Sequence, residues 1–485
     1  MAEESLKKKT VKGVGWSAVD NVVSLGVTFV VGIVLARLLT PDDYGLIGIL
    51  TIFISVFNAL VNSGFSNALI RKHNAQNIDY CTVFYTNLVL SVFLALVLYL
   101  CAHPIADFFG RQELVAMTQV MSSIVIINAF AIVQRVRLTK ALNFKTQAKI
   151  TFTASVISGV IGIFFAYNGF GVWALVIQQI SSRLLTTLLL WFFNKWIPSF
   201  AFSWISLKEM WSFGWKLLVS NLIDTTWKEI YQVVVGKCYS PQTLGLYTRA
   251  KHFSQMFSSN LTNVIQRVSY PVLSSIQDDR MRLKSAYQRI IRNTMLPTFV
   301  LMIGMAACAK PMVLCLIGEK WLGCVTFLQM ICFSGMLYPL HAINLNMLQV
   351  QGRSDLFLKL EIIKKIIAVG PLLLGVFVSI YWMVGGSVIT SFIAYYLNAY
   401  YSGPFLNYSI KDQVKDILPS FGVAVAMAIP VFLISFIPIT PYILFPLQII
   451  VGALLTILIC ERFKLPEYIE LKGIVIPVIK KILCR

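Results

Sequence analysis

Fourteen stretches of this chain are mostly apolar and long enough to cross a bilayer as helices, which takes about 20 residues each. They run over roughly 12–39, 44–66, 81–102, 115–134, 150–167, 172–193, 212–236, 243–266, 293–316, 324–350, 362–382, 385–405, 417–438 and 442–461. The runs are continuous rather than alternating, which fits helices and not the strands of a membrane barrel. No connection between them is long enough for a folded soluble domain. Charged residues make up only 13% of the 485 and hydrophobic residues 57%, roughly half the charge of a soluble domain. The fold class that follows is all-α: a polytopic membrane protein of about 14 transmembrane helices.

The formal net charge is +20. Such an excess on a soluble chain would suggest nucleic acid; on a membrane chain its placement decides the meaning. Lys7, Lys8, Lys9 and Lys12 precede the first run, and Arg71 and Lys72 follow the second. Arg135, Arg137, Lys140, Lys145 and Lys149 follow the fourth. Arg267, Arg280, Arg282, Lys284, Arg289 and Arg292 follow the eighth, and Arg353, Lys359, Lys364 and Lys365 the tenth. The alternate connections are short and nearly uncharged. Positive residues mark the cytoplasmic side, so both termini are expected there and no nucleic acid is expected as a partner. The charged start lacks a cleavage site, so the first run reads as a retained anchor.

The nine cysteines are scattered without a C-x-x-C and read as core residues, not as a disulfide framework or a metal site. Neither a G-x-x-x-x-G-K-[ST] nor a G-x-G-x-x-G is present, so no nucleotide or other cofactor is expected.

The chain repeats itself at an offset of 200. Asn21 falls on Asn221, Val34 on Val234, Pro41 on Pro241, Gly45 on Gly245, Leu46 on Leu246, Phe53 on Phe253 and Phe57 on Phe257. The centre of the match is Thr40-Pro41-Asp42-Asp43-Tyr44-Gly45-Leu46 against Ser240-Pro241-Gln242-Thr243-Leu244-Gly245-Leu246. Six runs separate the repeated units, an even number, so both halves insert the same way up, as in transporters built on a parallel repeat. The organisation expected is a six-helix lobe over 1–200, a second over 201–410, two appended helices over 411–462 and a cytoplasmic amphipathic tail over 463–485. In such a plan the substrate lies between the halves.

The repeated helices are also the polar ones. The first run carries Asp20, Asn21, Ser24 and Thr28, and the second Asn58 and Asn62. The seventh carries Asn221, Asp224, Thr225, Lys228, Glu229 and Gln232, and the eighth Arg249, His252, Ser259, Asn260 and Asn263. In the seventh these side chains (Glu229 apart) fall within an arc of about 100°. Arg183 sits near the middle of the sixth run. Charges at membrane depth face the bundle interior or water, so these stripes are candidate linings of a polar cavity: Asn21, Ser24, Asn58, Asn62, Asn221, His252, Asn260 and Asn263. Arg37, Arg183, Lys228, Lys237 and Arg249 would attract an anion, phosphate in particular. The other reading is internal pairing, Lys228 with Asp224 or Glu229 and Arg37 with Asp20 or Asp43, with Lys216 and Lys251 snorkelling. Asp20, Asp224 and Glu229 are candidates for ion coupling. His341 is a lone histidine, read as a hydrogen-bonded structural residue ahead of a proton relay.

Gly15-Trp16 with Leu35-Ala36-Arg37-Leu38-Leu39-Thr40-Pro41-Asp42-Asp43-Tyr44-Gly45-Leu46 resembles the opening of bacterial Wzx-type polysaccharide and lipopolysaccharide flippases of the MOP superfamily. Phe170-Gly171-Val172-Trp173-Ala174, Ser212-Phe213-Gly214-Trp215-Lys216 and Tyr239-Ser240-Pro241 with Gly245-Leu246-Tyr247 resemble later parts of the same proteins. The resemblance implies a non-enzymatic flippase in the bacterial inner (cytoplasmic) membrane. It would move undecaprenyl-diphosphate-linked oligosaccharide repeat units, of O-antigen, capsule or exopolysaccharide, by alternating access of two lobes. It implies membrane lipids, a proton or sodium ion and a polysaccharide polymerase as partners.

Two rivals stand beside it. A drug or peptidoglycan-precursor exporter of the same superfamily is one; a drug exporter would favour an acidic cavity, whereas the in-membrane charges are mostly basic. The other is a membrane glycosyltransferase or polymerase, for which the Asp42-Asp43 pair is the only acidic motif in place.

Overall fold

The computed structural model describes residues 25–62, 64–72, 75–141 and 143–473. Helices account for nearly all of it, and among the described residues there is no strand. In chain order they are α1 (Leu25–Leu38), α2 (Pro41–Asn62), α3 (Phe65–Arg71), α4 (Asn77–Leu100), α5 (Ala102–Phe109), α6 (Leu114–Lys140), α7 (Phe144–Tyr167), α8 (Val172–Asn194) and α9 (Trp204–Cys238). Then come α10 (Pro241–Ser275), α11 (Arg280–Ala307), α12 (Ala309–Leu316), α13 (Cys324–Gly335), α14 (Tyr338–Val350), α15 (Ser354–Phe377), α16 (Ile380–Ser402), α17 (Ile410–Ile434) and α18 (Pro441–Phe463).

Ten of the fourteen expected runs are helical spans long and apolar enough to cross a membrane, α13 and α14 counting together. The full count of fourteen is not reached on that criterion, for a physical reason. The seventh, eighth and eleventh runs are helical, as α9, α10 and α15, but carry too many polar and charged side chains. The described part of the first run, α1, is short.

Helix starts follow local chemistry. Asn143 accepts from Thr146 N at 3.2 Å to open α7, and Asp279 accepts from Arg282 N at 3.1 Å to open α11. Ser409 and Asp412 bond each other reciprocally to open α17. These caps supply partners for N–H groups that have none within the helix. Pro271, Pro297, Pro371, Pro419, Pro430 and Pro446 lie inside helices, as membrane helices tolerate.

The chain groups into two compact units, one ending at Gly245 and one beginning at Leu246; the repeat, by contrast, places its halves from about residue 201. In the first unit α7 packs on α8, α4 and α8 on α6, and α9 on α2. Phe84 is the centre of an aromatic cluster there, with Phe130, Trp191 and Trp196 rings edge-on at 5.8, 5.9 and 6.0 Å. In the second unit α11 packs on α17, α15 and α13 on α16, and α17 and α12 on α18. Within that unit α17 thus packs on α11 and α18 on α12 and α17. Residues 466–473 form a further short helix. Leu465, Tyr468 and Leu471 pack beside Leu296 and Val423, while buried Glu467 accepts from Ser420 Oγ at 2.9 Å. Glu470 accepts from Asn293 and Arg289, each at 2.7 Å, and these partners hold its carboxyl below the usual range. The tail thus docks on α11 and α17 as far as Gly473; Ile474, Val475, Val478 and the basic end lie outside the described residues.

One buried carboxylate ties the first unit together. Asp79, 2% exposed, accepts from Gln76 N at 2.8 Å, Ser206 Oγ at 2.6 Å and Lys72 Nζ at 3.1 Å. Lys72 also reaches Glu209 at 2.9 Å, the bond that does most to raise its ammonium pKa. Removing Asp79 would strand these donors, at a cost of about 2 kcal/mol. Asp79→Ala is therefore expected to lower the thermal midpoint of the purified protein by several degrees, and an unchanged midpoint would contradict this.

Candidate functional site

The repeated turn comes first, because its geometry explains its sequence. Asp43 Oδ2 accepts from Thr40 N at 2.8 Å and from Thr40 Oγ1 at 2.7 Å, and Asp43 N donates back to Thr40 Oγ1 at 3.3 Å. This is a capping box on α2, with Pro41 in the first helical position, where its missing N–H costs nothing. The copy uses hydroxyls for the same end: Thr243 N donates to Ser240 Oγ at 3.2 Å and the two hydroxyls lie 2.9 Å apart. Asp43 is thereby occupied as a cap, which weakens its reading as half of a catalytic pair.

The glycines of the two copies meet each other. A Cβ on Gly45 would lie 1.8 Å from the Pro241 carbonyl oxygen, and one on Gly245 would lie 1.8 Å from the Pro41 carbonyl oxygen. The first turns of α2 and α10 therefore cross backbone against backbone, each glycine seated on the other copy's proline. Beyond the far end of α2 the pattern recurs. A Cβ on Gly64 would come 2.7 Å from the Gly214 carbonyl oxygen. Glycine contacts thus bracket α2, one with the first turn of α10 and one, just past its end, with α9.

The anion-binding candidates separate into classes. Arg183 is accessible, midway along α8. Arg37 is accessible in the last turn of α1. Lys228 is accessible but joined to Asp224 at 2.6 Å, the pairing that their spacing suggests. Lys237 donates to the Phe108 carbonyl at 2.5 Å and lies 4.6 Å over the Phe108 ring, so it caps the C-terminal end of α5. Arg249 is 5% exposed and stacks over Phe253 at 4.9 Å; it is part of the packing of the second unit. Of the coupling candidates, Glu229 accepts from Gln232 and Asp224 is held by Lys228. Asp20, Asn21 and Ser24 lie outside the described residues, and Asn62 is the last residue of α2.

The polar candidates are similarly divided. Asn58 accepts from Asn128 Nδ2 at 2.8 Å, joining α2 to α6. Asn260 turns back on its own helix, donating to Met256 O at 2.6 Å. Asn221 is accessible on α9, and His252 and Asn263 on α10. On α10 the accessible residues also include Gln255 and Gln266. With Ser259 they form a stripe at positions 252, 255, 259, 263 and 266, one face of a helix. A polar face of this length on a membrane helix belongs against water, not acyl chains.

Arg135 was missed as a site residue. Its place in the basic run after the fourth span read as topology, but α6 stays helical to Lys140. Arg135 is accessible and within electrostatic range of Arg183. Two arginines from adjacent helices thus face one region of the first unit. A longer fourth span would have brought Arg135 into the membrane.

His341 is accounted for by its bonds. Asn398 Nδ2 lies 3.3 Å from Nδ1 and Ser391 Oγ 3.1 Å from Nε2. Both ring nitrogens are thus within hydrogen-bond distance of a polar side chain of α16. This is the structural histidine that the sequence favours.

A family model described as polysaccharide biosynthesis protein matches residues 34–326. Among curated proteins, the chain is 24% identical to the succinoglycan biosynthesis transport protein ExoT of Rhizobium meliloti, over 65% of this chain and 64% of that one, slightly under two thirds of its length. It is 23% identical to the lipopolysaccharide biosynthesis protein WzxC of Escherichia coli K12, over 76% of each. Among solved structures, lipid II flippase MurJ in an inward closed conformation superposes with a TM-score of 0.74 at 12% identity, covering 93% of this chain and 98% of that one. At that identity the likeness establishes the fold, which is also that of MOP-superfamily transporters. This multi-pass membrane chain, with its paired proline–glycine turns, belongs to the polysaccharide biosynthesis protein family.

Proposed function

We propose that the chain is a flippase for undecaprenyl-diphosphate-linked oligosaccharides in a bacterial inner membrane, with both termini cytoplasmic. Two six-helix lobes, 1–200 and 201–410, would expose the cargo alternately to the two sides, with 411–462 as an accessory pair. The observation that carries this reading is the accessible pair Arg135 and Arg183 on spanning helices. Two like charges within electrostatic range of each other would attract an anion, and a diphosphate offers two negative groups. The α10 stripe is the proposed wet face of the second unit. Arg37 is a further cation proposed to attract the cargo. Asp224, Glu229 and Asp20 remain the proposed acids for ion coupling, and a polysaccharide polymerase the proposed downstream partner. The relatives' roles in succinoglycan and lipopolysaccharide biosynthesis support the same cargo class.

The test is reconstitution in liposomes with a labelled lipid-linked oligosaccharide, scoring exchange between leaflets. Exchange well above protein-free liposomes is expected. Equal rates would sink the proposal, and glycosidic bond formation by the pure protein would favour the glycosyltransferase reading instead.

A further inference from the structure

The second unit contains a polar core that neither pairing nor the proposed transport accounts for. Ser391, Tyr395, Asn398 and Ser402 form one stripe of α16, facing His341 and Asn344 of α14, Tyr287 of α11 and Gln413 of α17. Tyr287, Asn344, Asn398, Ser402 and Gln413 have no exposed surface, and Tyr395 is 7% exposed. Some bonds are made: Tyr287 OH donates to Asn344 Oδ1, and Ser402 Oγ reaches the same oxygen at 3.0 Å. Five polar atoms around them have no partner. They are Asn344 Nδ2, Tyr395 OH, Asn398 Oδ1, and both Nε2 and Oε1 of Gln413. Gln413 lies beside the Tyr287 hydroxyl, but outside hydrogen-bond geometry. Native interiors leave only a few such groups unsatisfied per hundred residues, so five in one core call for a partner.

We propose that this core is a built site for ordered water, held between α11, α14, α16 and α17. The mixture of unmet groups selects the ligand. Two are N–H donors, two are carbonyl acceptors, and the tyrosine hydroxyl can be either. Water satisfies both kinds, and a buried water commonly makes about three hydrogen bonds. A sodium or potassium ion would satisfy only the oxygens and would leave the amide N–H groups facing positive charge. Among the described residues no carboxylate is placed to balance such an ion. Asp416 is bonded to Tyr408 OH at 2.6 Å and lies 3.7 Å from Arg292. Glu361 is held by Lys364 at 2.5 Å, and Lys364 itself acts on His341. Exchangeable water partners would let the four helices shift against one another without stranding a polar group.

X-ray hydroxyl-radical footprinting of the full chain in nanodiscs, in ¹⁸O-labelled water, tests this. Radicals formed from a bound water label the side chains beside it, even where bulk solvent has no access. Tyr287 and Tyr395 are expected to be modified several-fold more than buried Phe299, with slow ¹⁸O incorporation, while exposed Tyr381 reacts and exchanges fast. Gln413→Leu, if it purifies as a monodisperse protein, should reduce the labelling of both tyrosines. The wild-type result stands alone if that variant does not fold. Labelling of Tyr287 and Tyr395 no greater than of Phe299 would overturn the proposal. So would their protection by sodium chloride relative to choline chloride, which would make the ligand a cation.

Discussion

Gly45→Ala is expected to destabilise the protein and suppress transport together, although it adds one methyl group. That methyl would lie 1.8 Å from a backbone oxygen and must retreat about 1.2 Å to reach the 3.0 Å below which real Cβ atoms essentially never come. The obstacle is the Pro241 carbonyl at the start of α10, so no side-chain rotation relieves it. Overpacking of this kind costs about 1–3 kcal/mol, enough to shift the thermal midpoint by several degrees. Gly245→Ala meets the Pro41 carbonyl in the same way. Because both methyls force one crossing apart, the double variant should cost less than the sum of the singles. Gly422, inside α17 with nothing within 4 Å of where an added methyl would sit, is the control. There alanine should be neutral or stabilising by up to about 1 kcal/mol. If Gly45→Ala matched the Gly422→Ala control in midpoint and in leaflet exchange, the crossing would not be a tight contact of the working protein.

The same crossing shows which features a sequence makes legible. Thr40-Pro41 and Ser240-Pro241 could be read because caps and first-turn prolines act over three or four residues. The 200-residue repeat could be read because it preserved that local chemistry. What could not be read is that the two turns touch, since no local rule connects position 45 to position 241. The Asp224–Lys228 pair was legible for the same reason as the caps, lying one helical turn apart. Arg249 was not. Its spacing on α10 resembles that of the accessible residues, and only the packing of the second unit, with Phe253 beneath it, decides that it is buried. Arg135 failed for another reason: hydropathy ends a span where charge begins, whereas α6 continues past its first arginine. Likewise, α9, α10 and α15 are long helices whose polarity makes them poor spans by composition. That polarity is informative, because membrane helices that carry it are the ones that face water.

Arg183→Gln should lower leaflet exchange of a lipid-linked diphosphate oligosaccharide by about tenfold to a hundredfold, the rate equivalent of the 1.5–3 kcal/mol of a charge-assisted hydrogen bond. Abundance and thermal midpoint should be unchanged, because Arg183 is accessible and is not part of the packed core. They should rise if anything, since the substitution removes the repulsion between Arg183 and Arg135. That opposite movement of stability and activity is the signature of a residue kept for its ligand rather than for the fold. Arg135→Gln should act in the same direction, and the double variant should cost less than the two singles combined if both arginines hold one diphosphate. Arg183→Lys separates charge from shape. Recovery of most activity would mean that a positive point suffices, whereas continued loss would mean that the planar guanidinium engages two phosphate oxygens at once. Lys228→Ala, which removes an exposed charge already joined to Asp224, should change exchange far less. Full exchange by the Arg135/Arg183 double variant at wild-type abundance would remove the cationic pair from the mechanism and return the cargo to the choice among lipid-linked sugars, peptidoglycan precursors and drugs.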